Sequence, residues 1–501
     1  MKRILCFLYS LLILLTTSCS FFNAYIINAT FSNFTISDYG KIQDVAFFPS
    51  IGENNLLVVP LLFKDHSFKD DEILNIRNDL DIAFFGDSED IDFESVSSYY
   101  YKSSYEKLII KGEVSKSIVI DKTVEEIVSL TKDDNPYIGI NSSYYDNSYY
   151  PINFAIDELK KDMDLSIYDN NKDGIIDGVY FIYLEETYQE YCLNHNINEE
   201  DEIFDKISSF LWAYSYFYVD EKDIFNPSLG AYSFSSYNFM YCNEVDVDAH
   251  IYIHETGHML GLSDYYNYDF GLNDENNKKD LSMPIGGLDM MDLNVGDHNA
   301  YSKLLLGWIN PIIVNSKYNN VINSFSISGE AILIPISSYN GSPFFSYLII
   351  EYYTPTLLNT YDMNHKYINK YPNMFSLEGF KIYRVNAHLA YAKDNIEIIN
   401  DFSNIDNSND YIGFLTSNTP RKSMLKSYYG LNRAYNDRLL TLLSPINNNY
   451  FQVEDKFRFA NNADLFVEGS NFIYNESNVE VIINFSALNE NSGTINVEVK
   501  R

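Results

Sequence analysis

His254-Glu255-Thr256-Gly257-His258-Met259-Leu260-Gly261-Leu262-Ser263-Asp264 is the stretch on which the fold turns, and Gly287-Leu288-Asp289-Met290-Met291-Asp292 follows it. Val245 and Val247, Ile251 and Ile253, then Met259, Leu260 and Leu262 surround the first run, the pattern of a segment buried along one side. Helical residues four apart share a face, so His254 and His258 present imidazoles to one point. Glu255 lies beside them on the same turn, placed to hold a metal-bound water and take its proton. Gly261 predicts the helix end, because glycine enters the left-handed region without a Cβ clash. The chain then turns back, and Asp264 can add a carboxylate oxygen. Two imidazoles and one carboxylate leave a fourth position for water, a catalytic zinc arrangement rather than a closed structural one. With eight histidines in 501 residues, an accidental His-Glu-x-x-His is rare, on the order of one chain in a hundred. The competing readings are a degenerate or purely structural helix and, for Asp264 alone, a turn cap.

Residues near this motif divide by the same logic. Met291 is expected beneath the histidines as an apolar support, with ordinary core as the alternative. His250 stands one turn before His254 and is expected to pack rather than to ligate. His298 suits three roles: third ligand, partner of a ligand, or helix cap. Tyr265 and Tyr266 follow Asp264, and either could donate to a developing oxyanion.

The formal charge of −35 argues against nucleic acid, since phosphate backbones need basic surface and no basic patch is present. It favours solubility, and divalent cations beyond the zinc site. Lys2 and Arg3 precede an apolar run over residues 4–15, too short for a membrane span, so residues 1–18 read as an export signal. Thr16-Thr17-Ser18-Cys19 resembles a lipoprotein cleavage site with Cys19 as the lipidated first residue; a cleaved secretory peptide is the rival. The expected location is therefore the outer face of a bacterial cell membrane, or else the medium. Cys192 and Cys242 remain, and export permits a bridge between them without requiring one.

Along the chain, residues 19–50 read as a tether and residues 51–311 as the catalytic domain. The run 56–63 predicts a buried strand, residues 95–108 and 154–162 predict helices, and residues 178–184 a second strand. Phe210-Leu211-Trp212-Ala213-Tyr214 predicts a strand near the site. Asp169-Asn170-Asn171-Lys172-Asp173-Gly174-Ile175-Ile176-Asp177 puts oxygen donors at Asp169, Asn171 and Asp173, with the Ile175 carbonyl and Asp177 able to join them. Calcium suits such a cage, but the glutamate of a complete helix-loop-helix site is missing, and an acidic turn held by its own hydrogen bonds competes. Beyond residue 312 short strand patterns alternate with polar turns. Residues 312–400 are expected as a β-rich extension packed on the catalytic domain and residues 401–501 as a C-terminal β domain, a sandwich among the candidates. Glu351, His365 and His388 have no spacing that places them at the site.

The 254–264 motif, with residues 289–292 and 298–308, resembles the immune inhibitor A family of bacterial zinc metallopeptidases. The likeness extends to residues 59–65, 98–112, 169–183, 210–213 and 378–385, which spread over most of residues 50–390; the last hundred residues match only in β character. The resemblance implies an α+β, metzincin-like peptidase fold: a mixed sheet over the active-site helix, a lower subdomain with a Met turn, and exported activity. It makes His254, His258 and Asp264 the zinc ligands, Glu255 the general base and Met291 the Met-turn residue. The acidic 169–177 turn is also typical of the family.

The expected activity is zinc-dependent hydrolysis of internal peptide bonds in protein substrates by a monomeric enzyme. The competing class is a cell-surface binding or adhesion protein on a catalytically silent peptidase fold, its affinity carried by residues 312–501. Glu255 weighs against it, since binding needs no general base.

Overall fold

The computed structural model describes residues 34–42, 45–137, 147–217, 226–241, 247–268, 270, 281–367, 373–392, 396–399, 412–414, 418, 438–446 and 457–501. The expected export signal, Cys19 and Cys242 lie outside the described residues; Cys192 is buried. No helix among the described residues is long and apolar enough to cross a membrane.

The first half is a mixed sheet with helices on both faces. Its elements are α1 (Ile36–Ile42), β1 (Gly52–Leu62), α2 (Asp70–Phe85), α3 (Val96–Ser103), β2 (Leu108–Val114), α4 (Tyr149–Leu159), β3 (Val179–Tyr183), α5 (Phe204–Phe210), β4 (Tyr214–Phe217), β5 (Ala231–Ser236) and α6 (His250–Met259). The strand order is β2-β1-β3-β5-β4; the first four are mutually parallel and β4 runs antiparallel to β5 at the edge. Strand side chains alternate faces, and β1 shows why its run is apolar throughout. Leu56, Val58 and Leu62 enter a core shared with α2, α3 and α6, whereas Leu57, Val59, Leu61 and Phe63 enter another shared with α4 and α5. The expected strand at residues 210–214 differs: Phe210 closes α5, and the strand begins at Tyr214. Ile207, Phe210 and Leu211 are buried at helical spacing, and so short an apolar run has no period long enough to separate the two states.

Within the 19–50 stretch, Phe34, Ile36, Tyr39 and Phe48 are buried in the main core. The Phe48 amide donates to the Met259 carbonyl at the end of α6 (2.8 Å), and the indole of fully buried Trp308 donates to the Ser50 carbonyl (2.7 Å).

After α6 come α7 (Met290–Leu293) and α8 (Ala300–Leu305), then the strands β6 (Lys317–Asn323), β7 (Ala331–Pro335) and β8 (Ser346–Tyr353), helix α9 (Asn359–Asn364), and β9 (Gly379–Asn386), β10 (Leu440–Leu443), β11 (Asn471–Glu476), β12 (Val479–Asn489) and β13 (Ser492–Lys500). One sheet has the order β10-β9-β8-β7 with Ile312–Ile313 at its end, the other β6-β13-β12-β11. The two face each other as a sandwich: Leu348, Ile350 and Tyr352 of β8 share a core with Phe472, Val481, Ile483 and Val497. The opposite side of β8, with Tyr347, Ile349 and Tyr353, joins the core that holds α6. The protein is thus a mixed α+β fold whose C-terminal region is β-rich. Position 400 does not separate two sheets. β6 pairs with β13 and β10 with β9, so each stretch lends a strand to the other.

A buried ionic chain joins the two halves. The Glu351 carboxylate on β8 accepts from the Ala300 amide at the start of α8 (2.7 Å) and pairs with Lys381 of β9 (2.5 Å). Lys303 of α8, wholly buried, pairs with Asp297 (2.6 Å) and lies over the Tyr105 ring. Removing one member of such a chain strands a charge, a loss of about 3–5 kcal/mol.

Candidate metal centre

Helix α6 is fixed from three sides. The Tyr100 hydroxyl of α3 donates to the Ile253 carbonyl (2.7 Å), and the Tyr180 hydroxyl of β3 to the Tyr252 carbonyl (2.6 Å). Beneath the helix, a Cβ built on Gly257 would lie 2.4 Å from Met291 Sδ, so only glycine lets the turn that begins α7 approach so closely. Asp289 shapes that turn, accepting from the Met291 amide (2.8 Å) and from the backbone and side chain of Asn299. The helix ends at Met259, and Gly261 takes φ 96°, which turns the chain back over the histidines.

His254, His258 and Asp264 meet there. One donor atom from each lies within 4.8 Å of the others, and among the described residues they form the one such group of three. His254 Nδ1 faces the Met290 carbonyl (2.7 Å) and His258 Nδ1 the Leu262 carbonyl (2.9 Å). A carbonyl only accepts, so each Nδ1 carries a proton and each Nε2 is the nitrogen left to face Asp264. These Nε2 atoms lie 3.0 and 3.3 Å from Asp264 Oδ1, an inaccessible oxygen without a hydrogen bond. Two imidazole nitrogens and one carboxylate oxygen therefore converge. A cation satisfies all three, and the trio can coordinate a metal ion. The same field shows in the side chains' acidity. Burial pushes the His258 pKa down, but the Asp264 carboxylate outweighs it and raises the pKa to about 10. Asp264 is likewise raised by burial and lowered further by His258 and His254, ending below the usual carboxylate range.

Glu255 is buried beside this group, its Oε2 accepting from the Ser215 hydroxyl of β4 (2.8 Å). The Tyr268 hydroxyl donates to Asp264 Oδ2. Tyr266 stands against Asp264 and Glu255, and burial and then these carboxylates raise its phenol pKa. All open on a cleft of about 1050 Å³, with β4 as one wall and the 264–270 loop as another. Tyr39 and Phe47 reach it from the N-terminal segment, and Trp212, Phe270 and Phe457 expose aromatic surface within it.

The other candidate residues go elsewhere. The structure brings Tyr266 to the cleft and takes Tyr265 away: its hydroxyl pairs with Ser302 (2.7 Å) and its amide with the Met291 carbonyl (2.7 Å). His298 is buried among Tyr99, Tyr100 and Trp308, with Nδ1 3.7 Å from Asp289 Oδ1, and does not join the cluster. His250 stacks on Phe93 and is held between Asp248 (2.7 Å) and Asp362 of α9 (3.4 Å). Burial lowers its pKa, but the two carboxylates carry it up to about 10. In the acidic loop the carboxylates are turned onto the loop itself. Asp169 accepts from the Asp173 and Gly174 amides (both 2.9 Å), Asp173 from the Ile175 amide (3.1 Å), and Asp177 from the Asn170 amide (2.6 Å) and the Asn171 side chain (3.1 Å). These bonds hold the loop as an acidic turn.

Ser215, Tyr268 and Asp362 carry no sequence signal. Ser215 reaches Glu255 through strand register and Asp362 reaches His250 from a distant helix, whereas Tyr268 turns back within its own loop to Asp264. No family model matches the chain, and no curated protein matches it.

Proposed function

We propose that this chain is a zinc-dependent metalloendopeptidase of the immune inhibitor A type, on a metzincin-like fold, exported and held at the outer face of a bacterial membrane through lipid on Cys19. One observation carries the reading: two imidazole nitrogens and a carboxylate oxygen converge beside the Glu255 carboxylate in a cleft broad enough for a peptide. His254, His258 and Asp264 would hold the ion, and two imidazoles with one carboxylate suit zinc better than calcium or magnesium. When bound, the ion supplies Lewis-acid polarisation of the scissile carbonyl and makes water more acidic. Glu255 takes the proton of the attacking water and delivers it to the departing amine. The Tyr266 hydroxyl donates to the oxyanion that develops on the carbonyl. β4 is the outermost strand of its sheet among the described residues and borders the cleft, so an extended substrate would lie alongside it. The aromatic surface of Trp212, Phe270 and Phe457 takes apolar side chains.

The test is hydrolysis of casein by residues 20–501, with bound zinc counted, beside Glu255→Gln and a chelated sample. The expected result is turnover that chelation abolishes and that Glu255→Gln lowers by about 10²–10⁴-fold at unchanged zinc content. A chain that binds no zinc ends this proposal and favours a binding protein on the same scaffold.

A further inference from the structure

Strand β4 is short and lies at the sheet edge, yet its residues divide cleanly between two cores. Tyr214 and Tyr216 point away from α6 and pack on Phe234 and Tyr232. Phe217 has the opposite parity and belongs to the core of α6. Ser215 shares that parity, so register alone aims its hydroxyl at the helix. It lies 2.8 Å from Glu255 Oε2 and 3.0 Å from the Glu255 carbonyl. No hydrogen bond to Oε1 is formed among the described residues. A hydroxyl bound to one carboxylate oxygen fixes the carboxylate plane, and such a bond to a charged acceptor is stronger than one between neutral groups.

We propose that Ser215 is the positioning residue for Glu255: from the edge strand it holds Oε2 and so directs Oε1 to the proton that must be moved. The inference rests on the peptidase reading. No proton leaves Ser215 in the cycle. When Oε1 is protonated, Oε2 still accepts, so the carboxyl keeps one orientation while it acts as base and then as acid. Because β4 also borders the cleft, the wall along which a substrate extends and the general base share one hydrogen bond.

Two measurements test this. The first is a double-mutant cycle in metal-free protein, read by urea unfolding, with Ser215→Ala and Glu255→Ala singly and together. The expected result is about a tenfold loss in the folded-to-unfolded ratio for Ser215→Ala when Glu255 is present, and less than twofold in the Glu255→Ala background. The second is steady-state peptide hydrolysis. Ser215→Ala is expected to lower kcat about 10- to 100-fold with KM within about twofold, and Ser215→Thr to recover most of kcat, since threonine restores the hydroxyl. Equal losses in both backgrounds overturn the proposal, whether or not the wild type is active. So does an active wild type whose kcat survives Ser215→Ala. Coupling in a wild type that hydrolyses nothing leaves the contact standing and removes both the peptidase reading and the role in positioning.

Discussion

Tyr266 and Tyr265 are neighbours with opposite fates. One ring goes down to Ser302 and the other stays in the cleft against Asp264 and Glu255. Tyr266→Phe removes only a hydroxyl from the cleft wall. It is expected to lower kcat by about 10²-fold, with KM and zinc content little changed, as steady-state kinetics and metal analysis would show. An equal loss from Tyr265→Phe at unchanged stability would reverse the assignment. At this scale the meeting of His254, His258 and Asp264 is legible in sequence, because helical period and a glycine stop determine it locally. Ser215 is not legible. It stands forty positions from Glu255 and is brought to it only by the register of β4 on β5. The choice between Tyr265 and Tyr266 is equally closed to sequence, since it depends on which side of the turn α8 occupies.

Among elements, α9 holds α6 from a distance of more than a hundred residues. Asp362 accepts from the Gly296 amide (2.7 Å) and pairs with His250, so it ties the segment after α7 to α6. Its worth depends on pH in a definite direction. His250 is raised from about 6.5 to about 10 in the fold, so the stabilisation is complete below the unfolded pKa and is lost as pH rises through 10. Asp362→Asn is expected to cost about 2–4 kcal/mol at pH 6 and much less near pH 10, measured by urea midpoints at the two pH values. A cost that does not vary with pH would mean that the pair carries no charge. The strands at residues 331–335 and 346–353 are legible as dense apolar runs, and that at residues 379–386 by Phe380, Ile382, Tyr383 and Val385 around Lys381 and Arg384. The helix α5 is not, because the apolar run of residues 210–214 meets it only at Phe210, and the spacing of Ile207, Phe210 and Leu211 is its one mark.

Taken whole, the molecule carries a formal charge of −35, and its carboxylates crowd one another. Glu185 shows the effect. Burial, and then the Asp65 charge, raise its pKa to about 7. The folded state therefore keeps a proton that the unfolded chain releases, and stability falls as pH rises from about 4.3 through 7. Glu185→Gln is expected to be more stable than wild type by about 1–3 kcal/mol at pH 8 and close to it at pH 4, read from thermal unfolding; parallel pH curves would exclude this. The exchange of strands across position 400 is what sequence hides most completely, for pairing partners up to 181 positions apart leave no local trace (Lys317 opposite Glu498 is one end of that ladder, Asn323 opposite Ser492 the other). Ser50 and Trp308 show what such distance means for a chain made from one end. They are joined by a hydrogen bond across 258 positions, and at about 5–20 residues per second the ribosome delivers the indole some 13–50 s after the carbonyl that awaits it. For that interval the Ser50 carbonyl has emerged without the indole that binds it, so the seam between the N-terminal segment and residue 308 is among the last contacts that synthesis permits.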